Sequence, residues 1–101
     1  MGVMLPSRMF VSRIQATVAE AYGISLDHMT SPDRHQSVAW PRQVAMYLAR
    51  ETTHHTLPRI GQFFKRDHTT VIHAIRTVER KTAADPLRRA DVEALREALA
   101  A

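Results

Sequence analysis

The stretch "KRDHTTVIHAI", residues 65–75, sets a basic pair, an acid, a histidine and two threonines directly ahead of an apolar run. Each of these side chains suits contact with a polyanion or with base edges. A carboxylate such as Asp67 can accept from cytosine N4, and the methyl of Thr69 can pack on a thymine methyl while its hydroxyl reaches a base or phosphate. A helix opening at residue 67 also presents unpaired N–H groups and the positive end of its dipole, which favour phosphate. Arg66 just before that start, and Arg76 and Arg80 further along, carry charge suited to backbone contacts. Asp67 has a purely structural use as well, as the N-cap of the helix. One carboxylate has two oxygens, so capping and base reading are compatible.

Other chemistries fit less well. His54 and His55 are adjacent, and His68 and His73 are five apart, where a helical ligand pair wants a spacing of three or four. With no cysteine in the chain, no metal site is expected. Asp67 and His68 lack a nucleophile or cofactor loop beside them, so the chain is not read as an enzyme and no cofactor is expected. No GxxxxGK[ST] phosphate loop occurs, which removes nucleotide-driven work from what these residues can do.

The elements needed to position this cluster are all helical, and strand signals are absent. Asp67 starts a helix whose Val71, Ala74, Ile75 and Val78 fall at i, i+3, i+4 and i+7, while Thr69, His73, Arg76 and Arg80 share another face. Ahead of it, "TLPRIGQFF" has Thr56 as N-cap, Pro58 early, and Ile60, Phe63 and Phe64 as apolar anchors, with "KR" as a tight connection. "SVAWPRQVAMYLARET" predicts a longer helix with Pro41 in its first turn and Val44, Ala45, Leu48 and Ala49 inward. Trp40 reads as a packing residue. "SRIQATVAEAYG" predicts a helix from an N-cap at Ser12 to Gly23, with Ile14, Val18 and Ala21/Tyr22 on one stripe. Ser25 precedes a short helical turn, and "TSPDRHQ" is a loop. In "DPLRRADVEALREALAA", Asp85 caps a last amphipathic helix whose Leu87, Ala90, Ala94/Leu95 and Ala98/Leu99 line an inner or a partner face. The expected fold is an all-α bundle of about six helices with a helix-turn-helix over residues 56–81. In such a motif the N-terminal end of the second helix enters the DNA major groove.

A chain of 101 residues has room for one domain, with 45% hydrophobic and 24% charged residues typical of globular proteins. Residues 34–81 hold nine Lys/Arg against three acids, a balance of +6, whereas residues 1–33 and 82–101 each come to −1. A basic middle between faintly acidic ends favours a polyanionic partner. No apolar run approaches the ~18 residues of a membrane helix, so a cytoplasmic, nucleoid-associated protein is expected.

"RDHTTVIHA", preceded by "LPRIG" and "SVAWPRQVAMYLARE", resembles the C-terminal helix-turn-helix domain of the bacterial DnaA replication initiators, over about residues 14–81. The resemblance implies a fold of the Trp-repressor-like kind and double-stranded DNA as partner. It further implies that Arg34 reaches a minor groove and that Asp67, His68 and Thr69 read bases in the major groove. Leu57 and Pro58 would lie near a thymine methyl. Arg42, Gln43, Arg50 and Thr56 would meet the backbone, with Thr70 and His73 near phosphate. Lys65 and Arg66 belong to the same basic edge.

The chain departs from the family pattern in three places. "WPRQ" stands where R-P-R-Q is usual, "FFKRD" has no glycine where F-G-G-R-D is usual, with Lys65 in its place, and "SPDRHQ" is less basic than its counterparts. The family's initiators carry an ATP-binding motor ahead of this domain. Without one, the chain reads either as an excised domain or as a stand-alone or differently fused reader; Met1 and the non-matching "GVMLPSRMF" favour a natural start. One domain is expected over 1–101, with a DnaA-like core at 12–81 and an extra helix at 85–100. The favoured use is transcriptional regulation in phage-like or gene-transfer genes. Alternatives are replication-origin binding, or a protein-interaction module whose C-terminal helix meets a partner such as a polymerase subunit.

Overall fold

The computed structural model describes residues 7–100, and all regular structure among them is helical. Five α-helices are present: α1 Ser7–Tyr22, α2 Gln36–Thr52, α3 Leu57–Phe64, α4 His68–Ala84 and α5 Pro86–Ala100. The short turn after Ser25 is a 3-10 helix, Leu26–Met29, so the expected six helices become five and one turn.

Most helix ends obey their local sequence. Thr56 Oγ1 accepts the Arg59 N–H (3.3 Å), Asp67 caps α4, and Asp85 Oδ1 accepts the Leu87 N–H (2.9 Å) at the start of α5. α1 ends at Gly23, whose φ of +67° lets Gly23 N–H reach Glu20 O (3.2 Å) and Ile24 N–H reach Ala19 O (3.0 Å). Two expectations fail here. Ser12 is not an N-cap, because α1 begins at Ser7 and carries Ser12 in its interior. Pro41 sits in the second turn of α2, not the first. Its missing N–H leaves the Ser37 carbonyl without its i+4 donor, yet the helix runs on.

α2 is central, lying against α1, α3 and α4, and α5 closes over α4 and α1. Ile14, Val18, Val44, Ala45, Leu48, Ala49, Ile60, Phe64, Val71 and Val78 are fully buried, as their spacing predicts. Ala21 is exposed, and Phe63 and Ile75 pack only at the edge.

α5 turns a different side inward from the one rich in alanine. Val92, Leu95 and Leu99 are buried, Ala90, Ala94 and Ala98 are exposed, and Leu87 is 78% exposed. Trp40 sets this choice. It is buried, its Nε1–H donates to Tyr22 Oη (3.1 Å), and the Arg88 guanidinium lies 4.4 Å from its ring centroid. Such stacking holds the side of α5 that carries Arg88 inward. A forked ion pair from Arg96 to Glu51 (2.6 and 3.0 Å) ties α5 to α2 further along.

Candidate nucleic-acid interface

The α3–α4 turn consists of three residues, Lys65, Arg66 and Asp67. After Phe64, Lys65 adopts a left-handed conformation (φ 55°). Lys65 N–H then reaches Gln62 O (3.4 Å) and Arg66 N–H reaches Gly61 O (2.9 Å), the same closure that Gly23 makes at the end of α1. A residue with a Cβ is strained there by about 1–2 kcal/mol. Gly61 is needed on the other side, because a Cβ at that position would overlap the Arg66 carbonyl oxygen. The turn packs backbone on backbone, and so aims the start of α4 outward.

At that start, Asp67 Oδ1 accepts from Thr69 N–H (2.9 Å), Thr70 N–H (3.1 Å) and the Thr69 hydroxyl. These donors, the Thr69 hydroxyl first, hold the Asp67 carboxyl below the ordinary carboxylate range. Oδ2 takes none of the three and remains for an outside donor. His68, Thr69, Thr70 and His73 are exposed, as is Lys65.

A groove runs between α2 and α4, with Ala39, Arg42, Gln43 and Met46 on one wall and Arg66, Thr69, Thr70 and His73 on the other. A second, overlapping hollow continues past Lys65 to Thr30, Pro32 and Arg34. The exposed Arg34 and Thr69, Thr70 and His73 of α4 thus border two overlapping hollows, which Asp67 and His68 do not line. Gln43 Oε1 is buried in this region without a hydrogen-bond partner among the described residues. Arg50, Thr56, Leu57 and Pro58 form a separate cluster at the α2–α3 junction, where Arg50 Nη1 donates to His55 O (3.2 Å). They line neither hollow.

Two arginines expected as free cations are held inside the protein. Arg42 is 6% exposed. Its Nε donates to His28 O (3.2 Å), and Nη2 donates to His28 O (2.9 Å), Ser31 Oγ (3.3 Å) and Asp33 O (2.9 Å). Burial pushes its pKa down, nearby Arg66 adds to that, and Asp33 opposes it. Arg66 is half-buried, with Nη1 donating to Phe64 O (3.0 Å) and Nη2 to Ser31 O. A signal for Arg42 was present in the sequence: it lies on the stripe of Val38, Ala45 and Ala49, all buried. The part played by Ser31 had no local signal.

No group of three or more His, Asp or Glu among the described residues is placed to hold a metal ion. No helix among them is long and apolar enough to cross a membrane.

A family model described as the bacterial DnaA protein helix-turn-helix matches residues 11–78. The chromosomal replication initiator protein DnaA of two strains of Cereibacter sphaeroides is 46% identical over 92 residues, covering 90% of this chain and 20% of the relative. This chain therefore spans about a fifth of the length of those curated relatives. The aligned stretch is too long to stop at residue 81, so the likeness takes in part of α5, which the motifs alone had left outside. A crystal structure described as a DNA replication initiation factor is similar at a TM-score of 0.82 and 34% identity, over 92% of this chain and 29% of that one. With its helix-turn-helix in place and the family matched over more than half of its length, the chain belongs to the bacterial DnaA helix-turn-helix family.

Proposed function

We propose that the chain binds duplex DNA and discriminates among base sequences. The observation that carries this reading is the tip of α4. Asp67 spends one oxygen on its own helix, and Thr69 stands exposed beside it on the wall of a groove whose overlapping continuation Arg34 borders. Asp67, His68 and Thr69 enter a major groove while Arg34 enters the neighbouring minor groove. Leu57 and Pro58 approach from the start of α3. Gln43, Arg50, Thr56, Lys65, Thr70 and His73 meet the sugar-phosphate backbone, and Arg42 and Arg66 add positive potential from behind.

Two uses of this binding are supported by different observations. Replication-origin binding follows from relatives that are named replication initiators. Transcriptional regulation at a different target is the reading favoured by Lys65, an exposed cation where the family pattern has glycine. Selection of bound duplexes from a random pool decides between them. Recovery of the initiators' usual site supports the first, another consensus supports the second, and no enrichment overturns sequence reading itself.

The outer side of α5, with Leu87 exposed, is left for a protein partner such as a polymerase subunit. A Leu87→Glu chain that keeps its DNA affinity but loses transcription activation supports that use; unchanged activation removes it.

A further inference from the structure

Arg34 would reach its groove from a loop that has no regular structure, residues 30–35. An exposed arginine on a slack loop is a poor reader, because ordering the loop at each encounter subtracts from affinity. The fold deals with this through the two arginines that are turned inward. Arg42 Nη2 donates to the carbonyl of Asp33, which belongs to the peptide leading into Arg34. Arg66 reaches across 35 positions of sequence to the carbonyl of Ser31. Ser31 is a junction, since its Oγ accepts from Arg42 (3.3 Å) and from Asp33 N–H (3.4 Å) and donates to His28 O (3.2 Å). His35 N–H, on the other side of Arg34, donates to Asp33 Oδ1 (2.9 Å).

The two guanidiniums lie close enough for Arg66 to push the Arg42 pKa down. Two like charges share this small region because backbone carbonyls from the loop and the turn converge on them. Arg66 joins two separate parts of the reading surface. Its backbone is the α3–α4 turn itself, and its N–H closes α3. Whatever aims α4 therefore also aims the loop.

We propose that Arg66 is a positioning residue that sets the register between Arg34 and the tip of α4, rather than a phosphate contact of its own. It rests on the DNA-reading function proposed above. A planar fork donates to Phe64 O with one nitrogen and to Ser31 O with the other. A lysine keeps the charge but not that geometry. Charge retention with loss of positioning is what separates this role from a phosphate contact.

The test uses the full chain with Arg66→Lys and Arg66→Gln, each alone and combined with Arg34→Ala. Without DNA, hydrogen exchange at the amides of Ser31, Asp33 and His35 is expected to quicken about tenfold or more in both single variants. Amides in the α4 core should be unchanged. With a selected duplex, Arg66→Lys is expected to weaken binding about tenfold. That loss should shrink to threefold or less once Arg34 is already alanine. Discrimination should fall at base pairs facing Arg34 and persist at those facing Thr69. Unchanged loop exchange, or an equal loss in both backgrounds, overturns the proposal. If Arg66→Gln fails to fold, Arg66→Lys alone carries both readouts. A wild-type chain that binds every duplex alike sinks the DNA reading, and loop exchange then still decides whether Arg66 holds the loop.

Discussion

The groove side of this molecule and its α5 side both carry arginines and lysines, and they treat them differently. On the α5 side, several cations meet partners within the protein. Arg96 grips Glu51, Arg88 lies over Trp40 and 3.6 Å from Asp85, and Lys81 lies 5.6 Å from the same indole ring. On the groove side, Arg34 and Lys65 are exposed and enter no ion pair among the described residues, while Arg42 and Arg66 are turned onto loop carbonyls. Charge count along a chain therefore does not say how much charge is available to a partner. The +6 of residues 34–81 divides into cations that hold the surface in shape and cations that can displace counterions.

The harshest way to break the contrast is at the turn. Gly61→Ala would drive a Cβ into the Arg66 carbonyl oxygen, and is expected to cost about 2–3 kcal/mol, lowering the melting temperature by roughly 10 °C or more. Gly23→Ala at the α1 terminus is the control. A Cβ there meets open space, so only the left-handed backbone is strained and the loss should be about half as large or less. Equal losses in calorimetry would remove the turn's special status.

Next comes the reading face. Thr69→Ala is expected to cost about 1–3 kcal/mol on the selected duplex and little on random DNA. Equal loss on both, by fluorescence titration, would remove Thr69 as a reader. The two kinds of cation can be separated by salt. Arg34→Ala should flatten the dependence of log K on log[salt] by about one unit of charge, whereas Arg88→Ala, on the α5 side, should leave the slope unchanged. A flattened slope in both would mean that partners on α5 do not withhold charge from DNA.

Lys65→Gly is a smaller effect with opposite signs. Relief of the left-handed strain should raise stability by about 1 kcal/mol, and the lost charge should weaken DNA binding at low salt. The smallest effect concerns acid. The Asp67 carboxyl is held below its ordinary range in the folded chain, so its capping contribution is present above the unfolded-chain pKa. It is lost as pH falls through the lower folded value. The stabilities of wild type and Asp67→Asn should therefore differ near neutrality and converge in strong acid.

Much of the architecture was legible because its causes are local. Thr56, Asp67 and Asp85 cap helices within three residues of themselves, and Gly23 ends one, so each was readable from its neighbours. The inner stripe of α2, and Val71, Ala74 and Val78 of α4, followed from spacing alone. One misplacement and one open choice have an equally simple origin. Ser12 is a good N-cap residue type in the wrong place, since α1 starts a full turn earlier. In α5, alternating leucines and alanines allow more than one inward stripe, and the stripe through Leu87 reads equally as an inner or a partner face. Trp40, 48 positions away from Arg88, selected the other.

The sequence by itself determined that this chain is helical, where most helices end, that its middle is basic, and that a polar cluster stands at the mouth of α4. Those properties depend on backbone sterics, capping and periodicity, which act within a few residues. Only the tertiary structure decided which arginines are spent on the protein and which remain free. That choice depends on the carbonyls of residues 28–33 arriving beside Arg42 and Arg66 from up to 35 positions away. A guanidinium near a converging set of buried carbonyls is better satisfied there than in water.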